Sequence, residues 1–197
     1  MRDYPDRKRT ASMPIPAIVI GAWAAVLLIS GAVLPPAGGA ALQVTHDLSI
    51  ELVPSAHMLM GHDRMSIRVD DRQKLIFSLS ERVTQIRAET DGKPCAFKFS
   101  NSELEIPLES DERRRVVEVV IAYEAVFNDP LPVQPLNTDN PGFGVTASIS
   151  SAGTFLLSGA GWYPDLVDGQ DSFMLRVTAP DGIIAVTAGQ CLGHVTR

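Results

Sequence analysis

The sequence has little of what builds a catalytic or metal centre. It holds two cysteines, Cys95 and Cys191, among 197 residues, and no Cys-x-x-Cys. Four histidines are present, His46, His57, His62 and His194, and none stands in a His-Glu-x-x-His sequence, so a zincin helix is absent. There is no Gly-x-Ser-x-Gly elbow and no Gly-rich phosphate cradle. Gly159-Ala160-Gly161 opens no helix, because Trp162-Tyr163-Pro164 follows at once. No catalytic residue and no metal ligand is therefore nominated. Basic charge is also scarce. Setting aside residues 1–40, with four basic and two acidic side chains, leaves 13 Lys or Arg against 21 Asp or Glu. A domain with that balance does not bind nucleic acid through a basic face. Repeats and low-complexity tracts are lacking too.

What the chain does have begins at its start. Arg2, Arg7, Lys8 and Arg9 precede a run from Ile15 to Leu34 broken only by Pro16, Gly21, Ser30 and Gly31. About 20 apolar residues can cross a bilayer as a helix, and basic residues hold the preceding end in the cytoplasm. Small residues follow, and cleavage after Ala40 fits the signal-peptidase pattern. Residues 1–41 thus read as a signal peptide or, since the run is long, as an uncleaved N-terminal membrane anchor formed by 15–34. Either implies export, to a periplasmic or other extracytoplasmic location. In such a compartment Cys95 and Cys191 could form a disulfide. Sequence spacing leaves open whether they pair or remain two thiols.

From residue 42 to 197 the dominant period is two, the mark of half-buried strands. Alternation runs through Val44–Leu52, Met65–Val69, Leu75–Leu79, Val83–Ala88, Ala96–Phe99 and Leu104–Leu108. The longest strand spans Val116–Phe127, with both faces apolar enough to be covered. Further strands are expected at Gly144–Ile149, Thr154–Leu157, Phe173–Thr178 and Ile183–Thr187. Asp91-Gly92-Lys93-Pro94 reads as a hairpin turn and Met60-Gly61-His62-Asp63 as another, with His57 and His62 exposed beside it. Ser110–Arg115 is a charged turn, and Asn128–Gly144 a long loop rich in Pro, Asn and Asp. The acidic pairs Asp70-Asp71 and Asp165 with Asp168 read as loop residues. Short strands with frequent turns give an all-β, mostly antiparallel, saddle- or sandwich-like domain preceded by an N-terminal hydrophobic helix.

The most distinctive string is Gly153–Pro164, where a strand ends in Ser158-Gly159-Ala160-Gly161 and two large aromatics follow. Trp162 and Tyr163, with Ser158, are the candidates for a ligand contact or an interface. The competing reading has the two rings anchor a loop to the core.

These features, in this order, resemble the N-terminal β domain of M1-family zinc aminopeptidases. His46–Pro54, His57 and Gly61-His62-Asp63 look like that domain's first hairpin. Ile121-Ala122-Tyr123-Glu124 looks like its Tyr-x-Gly strand, although Ala125 stands where glycine is common. Gly153–Pro164, then Phe173–Pro180 and Ala185–Gly189, is similar to its aromatic-Pro element and the strands after it. The resemblance covers about residues 44–193. It implies a saddle-shaped, mostly antiparallel domain that packs on a zinc catalytic domain. The cofactor would belong to that absent domain, so this chain itself carries none. The family's His-Glu-x-x-His and Gly-x-Met-Glu-Asn motifs do not occur here. The family's amine-binding Gln or Glu has no counterpart among Leu156, Leu157 and Ser158.

Three functions follow as expectations. The chain is a non-catalytic M1-like domain from a truncated or split aminopeptidase, partnered by a catalytic metallopeptidase domain or a peptide. Alternatively it is an unrelated exported β-sandwich module that stacks ligand on Trp162 and Tyr163. In the third, residues 15–34 anchor a structural protein in the membrane.

Overall fold

The structure is a computed structural model that describes residues 42–109, 116–130 and 146–194. The hydrophobic run, the charged turn 110–115 and loop residues 131–144 lie outside the described residues. So do the signal-or-anchor assignment and its helix.

Among the described residues the alternation seen in the sequence becomes twelve strands. The first two, β1 (Leu42–Val53) and β2 (Met58–Arg68), form a hairpin. Its connection is a 3-10 turn, Pro54–Ala56, closed by His57 at φ 55°. The turn expected at Met60–Asp63 is therefore not there. Those four residues continue β2, paired with β1 on one side and with β8 (Val116–Val126) on the other. Gly61, which suggested the turn, is there for packing. It lies opposite Tyr123 of β8, and a Cβ at position 61 would come within 2.2 Å of the phenol ring.

The other strands are β3 (Lys74–Ser78), β4 (Val83–Thr90), β5 (Lys93–Pro94), β6 (Lys98–Ser100) and β7 (Glu103–Pro107). After β8 come β9 (Ala147–Ser150), β10 (Gly153–Leu156), β11 (Asp165–Leu166) and β12 (Gly169–Thr178). They form a six-stranded sheet in the order β12-β1-β2-β8-β4-β5, a four-stranded sheet β11-β3-β7-β6, and the pair β10-β9. The Asp91-Gly92 hairpin stands as expected between β4 and β5.

The mostly antiparallel arrangement stands, and one expected strand does not form. Among the described residues every strand pair is antiparallel except one: β12 runs parallel to β1, from Leu42 opposite Gly169 to Glu51 opposite Thr178. A parallel neighbour needs a long crossover, here the chain between the two strands. The strand expected at Ile183–Thr187 is absent. That stretch forms no pairing, and Ile184 and Val186 are 78% and 92% exposed.

The core fills the space between the sheets. It takes Leu42, Val44, Leu48, Ile50 and Leu52 from β1, and Val117, Val119, Ile121, Tyr123 and Ala125 from β8. Leu75 and Phe77 of β3, Leu104 and Ile106 of β7, and Ala147 and Ile149 of β9 face them. The opposite face of β8 is only half covered, with Val116 and Val126 exposed. One face of β1, β2 and β8 is thus dry, and any polar group on that face requires a partner.

Candidate functional site

The three nominated residues separate. Ser158 is exposed in a 3-10 turn, Ser158–Ala160, while Trp162 and Tyr163 are half-buried against the core. Gly161 fixes this turn. It has φ 64°, its carbonyl accepts from the Ser80 amide at 2.8 Å, and a Cβ would lie 2.6 Å from that nitrogen. The chain is thereby pressed onto the end of β3, and the next two rings are delivered to the sheet edge. Trp162 meets Tyr163 edge-on, with centroids 4.8 Å apart, and Tyr163 meets Phe173 of β12 edge-on at 5.3 Å. The Trp162 carbonyl accepts a 2.7 Å hydrogen bond from the Tyr123 hydroxyl. These aromatics tie the loop to β8 and β12.

Beneath them is a buried polar group that the sequence reading passed over. The strand period puts His46 on the core face of β1, between Val44 and Leu48, and Asp63 on the core face of β2, between Gly61 and Met65. Both are fully buried. His46 Nδ1 and Asp63 Oδ2 lie 2.7 Å apart, a charge-assisted geometry. The other imidazole nitrogen, Nε2, is 3.6 Å from Asp171 Oδ1 on β12, beyond direct hydrogen-bond range. Neither of those two atoms has a hydrogen-bond partner, and the same holds for Asp63 Oδ1 and Trp162 Nε1. Phe173 stacks on the imidazole at 4.3 Å, and Tyr163 closes over it edge-on at 6.2 Å.

Asp165 completes the group. It lies on β11, half-buried, where the Asp171 charge acts on it. Burial raises its carboxyl above the ordinary range, and the Asp171 charge adds to this, against a smaller opposing pull from His46. Burial likewise raises Asp63, although the His46 bond opposes it. The reading of Asp165 as a simple loop acid is thus corrected. The Tyr123 hydroxyl is driven up by burial and then by the Asp63 charge, and Tyr163 by burial and by Asp165, Asp171 and Asp63, so both stay neutral. Among the described residues no group of three or more His, Cys, Asp or Glu side chains is placed to hold a metal ion.

A second polar knot closes the base of the long loop. Asp129 accepts from the Thr146 amide, the Thr146 hydroxyl and the Ala147 amide, each at 3.0 Å, and from Arg82 Nη2 at 2.5 Å. Desolvation opposes ionisation there, but the Ala147, Arg82 and Thr146 bonds outweigh it and hold the carboxyl well below the usual range. His57, expected to be exposed, is so, with Nδ1 2.5 Å from the Ile149 carbonyl oxygen; His62 is exposed on β2. Cys95 is half-buried and Cys191 exposed, and the structure does not join them. Phe155, Leu157, Phe173 and Met174 leave 42–47% of their surface in solvent.

No protein-family model and no curated protein matches the sequence. Solved structures do match the fold. A variant of the M1 zinc metallopeptidase of Deinococcus radiodurans, with a Tyr-Ser-Ala substrate bound, shares it at TM-score 0.56 and 16% identity. Another structure of that metallopeptidase gives 0.53 at 18%, and a two-domain M1 zinc metallopeptidase variant with L-arginine bound gives 0.53 at 19%. Each likeness covers 80% of this chain and only 37% of the other. That extent is consistent with an N-terminal domain alone.

Proposed function

We propose that residues 42–197 act as a non-catalytic β domain that packs on a catalytic metallopeptidase domain, the two together making an aminopeptidase. The observation that carries this reading is the extent of the likeness, which takes in 80% of this chain and 37% of an M1 zinc metallopeptidase. The exposed Phe155, Leu157, Phe173 and Met174 support it, since such apolar surface favours a covered state. On this reading zinc belongs to the partner domain, and a peptide is met only by the assembled pair. The leader-or-anchor reading of residues 1–41 puts the meeting outside the cytoplasm, with the membrane as a further contact where 15–34 is retained.

The test is hydrolysis of aminoacyl anilides. The purified chain is expected to show none, with or without added zinc. Mixed with a cognate M1-type catalytic domain stripped of its own β domain, it is expected to form a one-to-one complex and to raise that domain's turnover. Turnover by this chain alone, or a catalytic domain indifferent to it, sinks the proposal.

A further inference from the structure

The large sheet ends in an open edge, and the chain that leaves this edge carries an unpaired strand-like segment. Among the described residues β12 pairs with β1 alone, so its outer edge is open over the ten residues Gly169–Thr178. The register with β1 runs without a bulge, the strand holds no proline, and its one basic side chain, Arg176, is engaged with Asp47. Bulges, prolines and free charges are what commonly blunt an edge, because an open edge is a template for another strand. The pairing also fixes which backbone groups face outward. The Leu42 amide bonds the Asp168 carbonyl, while Leu42 stands opposite Gly169. Successive residues of a paired strand turn their amide and carbonyl to alternate sides. Even-numbered residues of β12 therefore face β1, and odd-numbered ones, Phe173, Leu175 and Val177 among them, face out.

Just after β12 the chain turns, with the Ile183 amide on the Pro180 carbonyl at 3.3 Å. Ile183–Thr187 follows, alternating like a strand, unpaired, with Ile184 78% and Val186 92% exposed. Folded back antiparallel across a loop of Pro180–Ile183, this segment puts Ile184 opposite Ala179, Ala185 opposite Thr178, Val186 opposite Val177 and Thr187 opposite Arg176. Opposite residues share a face. Ile184 and Val186 thus join the face on which Val177 and Ala179 already pack against the core, and Ala185 and Thr187 join the solvent face. The backbone agrees, since outward-facing Val177 offers both its groups to Val186. A slip of one residue puts Ile184 and Val186 in water. A loop shorter by two residues makes Pro180 its first residue, where hairpin turns require a positive φ and proline has none. We propose that Ile183–Thr187 is a strap that closes on the outer edge of β12 as a seventh strand of the large sheet. The structure shows the strap open. Its turn has a positive φ at Gly182, 85°, and not at Asp181, the type II pattern, which splays the segments it joins. Closing changes only the dihedrals of the loop, where Gly182 gives the needed freedom. The closed strap covers Arg176–Thr178 and leaves Phe173 and Met174 open. It guards the free domain against strand pairing with its own copies and stands independently of the docking role.

Residue-resolved amide hydrogen exchange by NMR tests the strap on the full chain, held in mild detergent for its apolar run. In the closed form the Val177 amide donates to Val186, although β1 offers it no acceptor. Its exchange is expected to be at least about tenfold slower in the parent than in the double variant Ile184→Pro, Val186→Pro, which deletes both strap amides that face β12. The Arg176 and Thr178 amides, turned to β1, are expected to stay equally slow in both proteins. Equal exchange of Val177 in parent and variant overturns the proposal. Protection of Val177 that grows with protein concentration overturns it too, because the added strand then comes from a second copy. Should the variant fail to fold, the parent alone decides. Thr178 and Ala185 form the close, non-hydrogen-bonded pair of this register and are expected to show an Hα–Hα NOE; its absence overturns the strap.

Discussion

Gly61→Ala adds a single methyl group in the middle of a regular strand, where alanine ordinarily stabilises by reducing the freedom of the unfolded chain. Here the structure demands the opposite. The new Cβ would lie 2.2 Å from Tyr123 Cζ, 2.5 Å from its hydroxyl oxygen and 2.6 Å from Cε1. Carbon atoms in contact sit about 3.5–4 Å apart, so the ring must move by more than an ångström. Tyr123 is 3% exposed and its hydroxyl holds the Trp162 carbonyl at 2.7 Å. Moving the ring therefore overpacks the core, at about 1–3 kcal/mol, and breaks a hydrogen bond worth about 1 kcal/mol. The expected loss is about 2–4 kcal/mol, a fall of roughly 5–15 °C in Tm for a domain of this size. Urea unfolding of Gly61→Ala, Tyr123→Leu and the double variant measures it. With the ring gone the alanine should be tolerated, giving a coupling of at least about 1.5 kcal/mol. A loss under about 0.5 kcal/mol in the parent, or the same loss in both backgrounds, refutes the reasoning.

Other parts of the molecule make their own demands. His46→Ala leaves the fully buried Asp63 without its imidazole and is expected to cost about 3–5 kcal/mol in urea unfolding; a loss below about 1 kcal/mol means that the pair is dispensable. Asp129→Ala removes the acceptor for three loop donors and Arg82 and is expected to cost about 2 kcal/mol. Because the Asp129 carboxyl is held low in the folded state, its contribution is complete above the unfolded value of about 3.9 and is lost as pH falls below it. The variant should accordingly lose stability less steeply than the parent on acidification, and parallel acid limbs would contradict this. Trp162→Ala and Tyr163→Ala should each cost about 2–3 kcal/mol, since both rings pack on the core; unchanged stability would return them to the role of free ligand contacts.

Much of the fold was legible because alternation is local. Val44–Leu52, Leu75–Leu79 and Val117–Tyr123 show their buried faces in the sequence itself. Pairing is not local, and the misreadings come from there. Ile183–Thr187 alternates like a strand, yet no partner lies beside it. The parallel match of β12 to β1 joins residues 127 positions apart at Leu42 and Gly169, and no turn signals it. Gly61 looked like a turn because its reason, the Tyr123 ring, lies on another strand. That error hid Asp63, which a turn would leave in water. His46 was readable, since the alternation of β1 places it among buried aliphatic residues. Its partners were not, because they come from three further strands. Trp162 and Tyr163 stood out in the sequence, but that Tyr163 closes over the buried His46–Asp63 pair depends on the fold.

The central claim is that this β domain is covered by a catalytic domain on its exposed apolar surface. Hydrogen exchange on the complex with a cognate M1-type catalytic domain tests that most directly. The account predicts slowed exchange across β10 and β12, around Phe155, Leu157, Phe173 and Met174, with β3 and β7 unchanged. A complex that leaves β10 and β12 exchanging as in the free chain, or no complex at all, contradicts it.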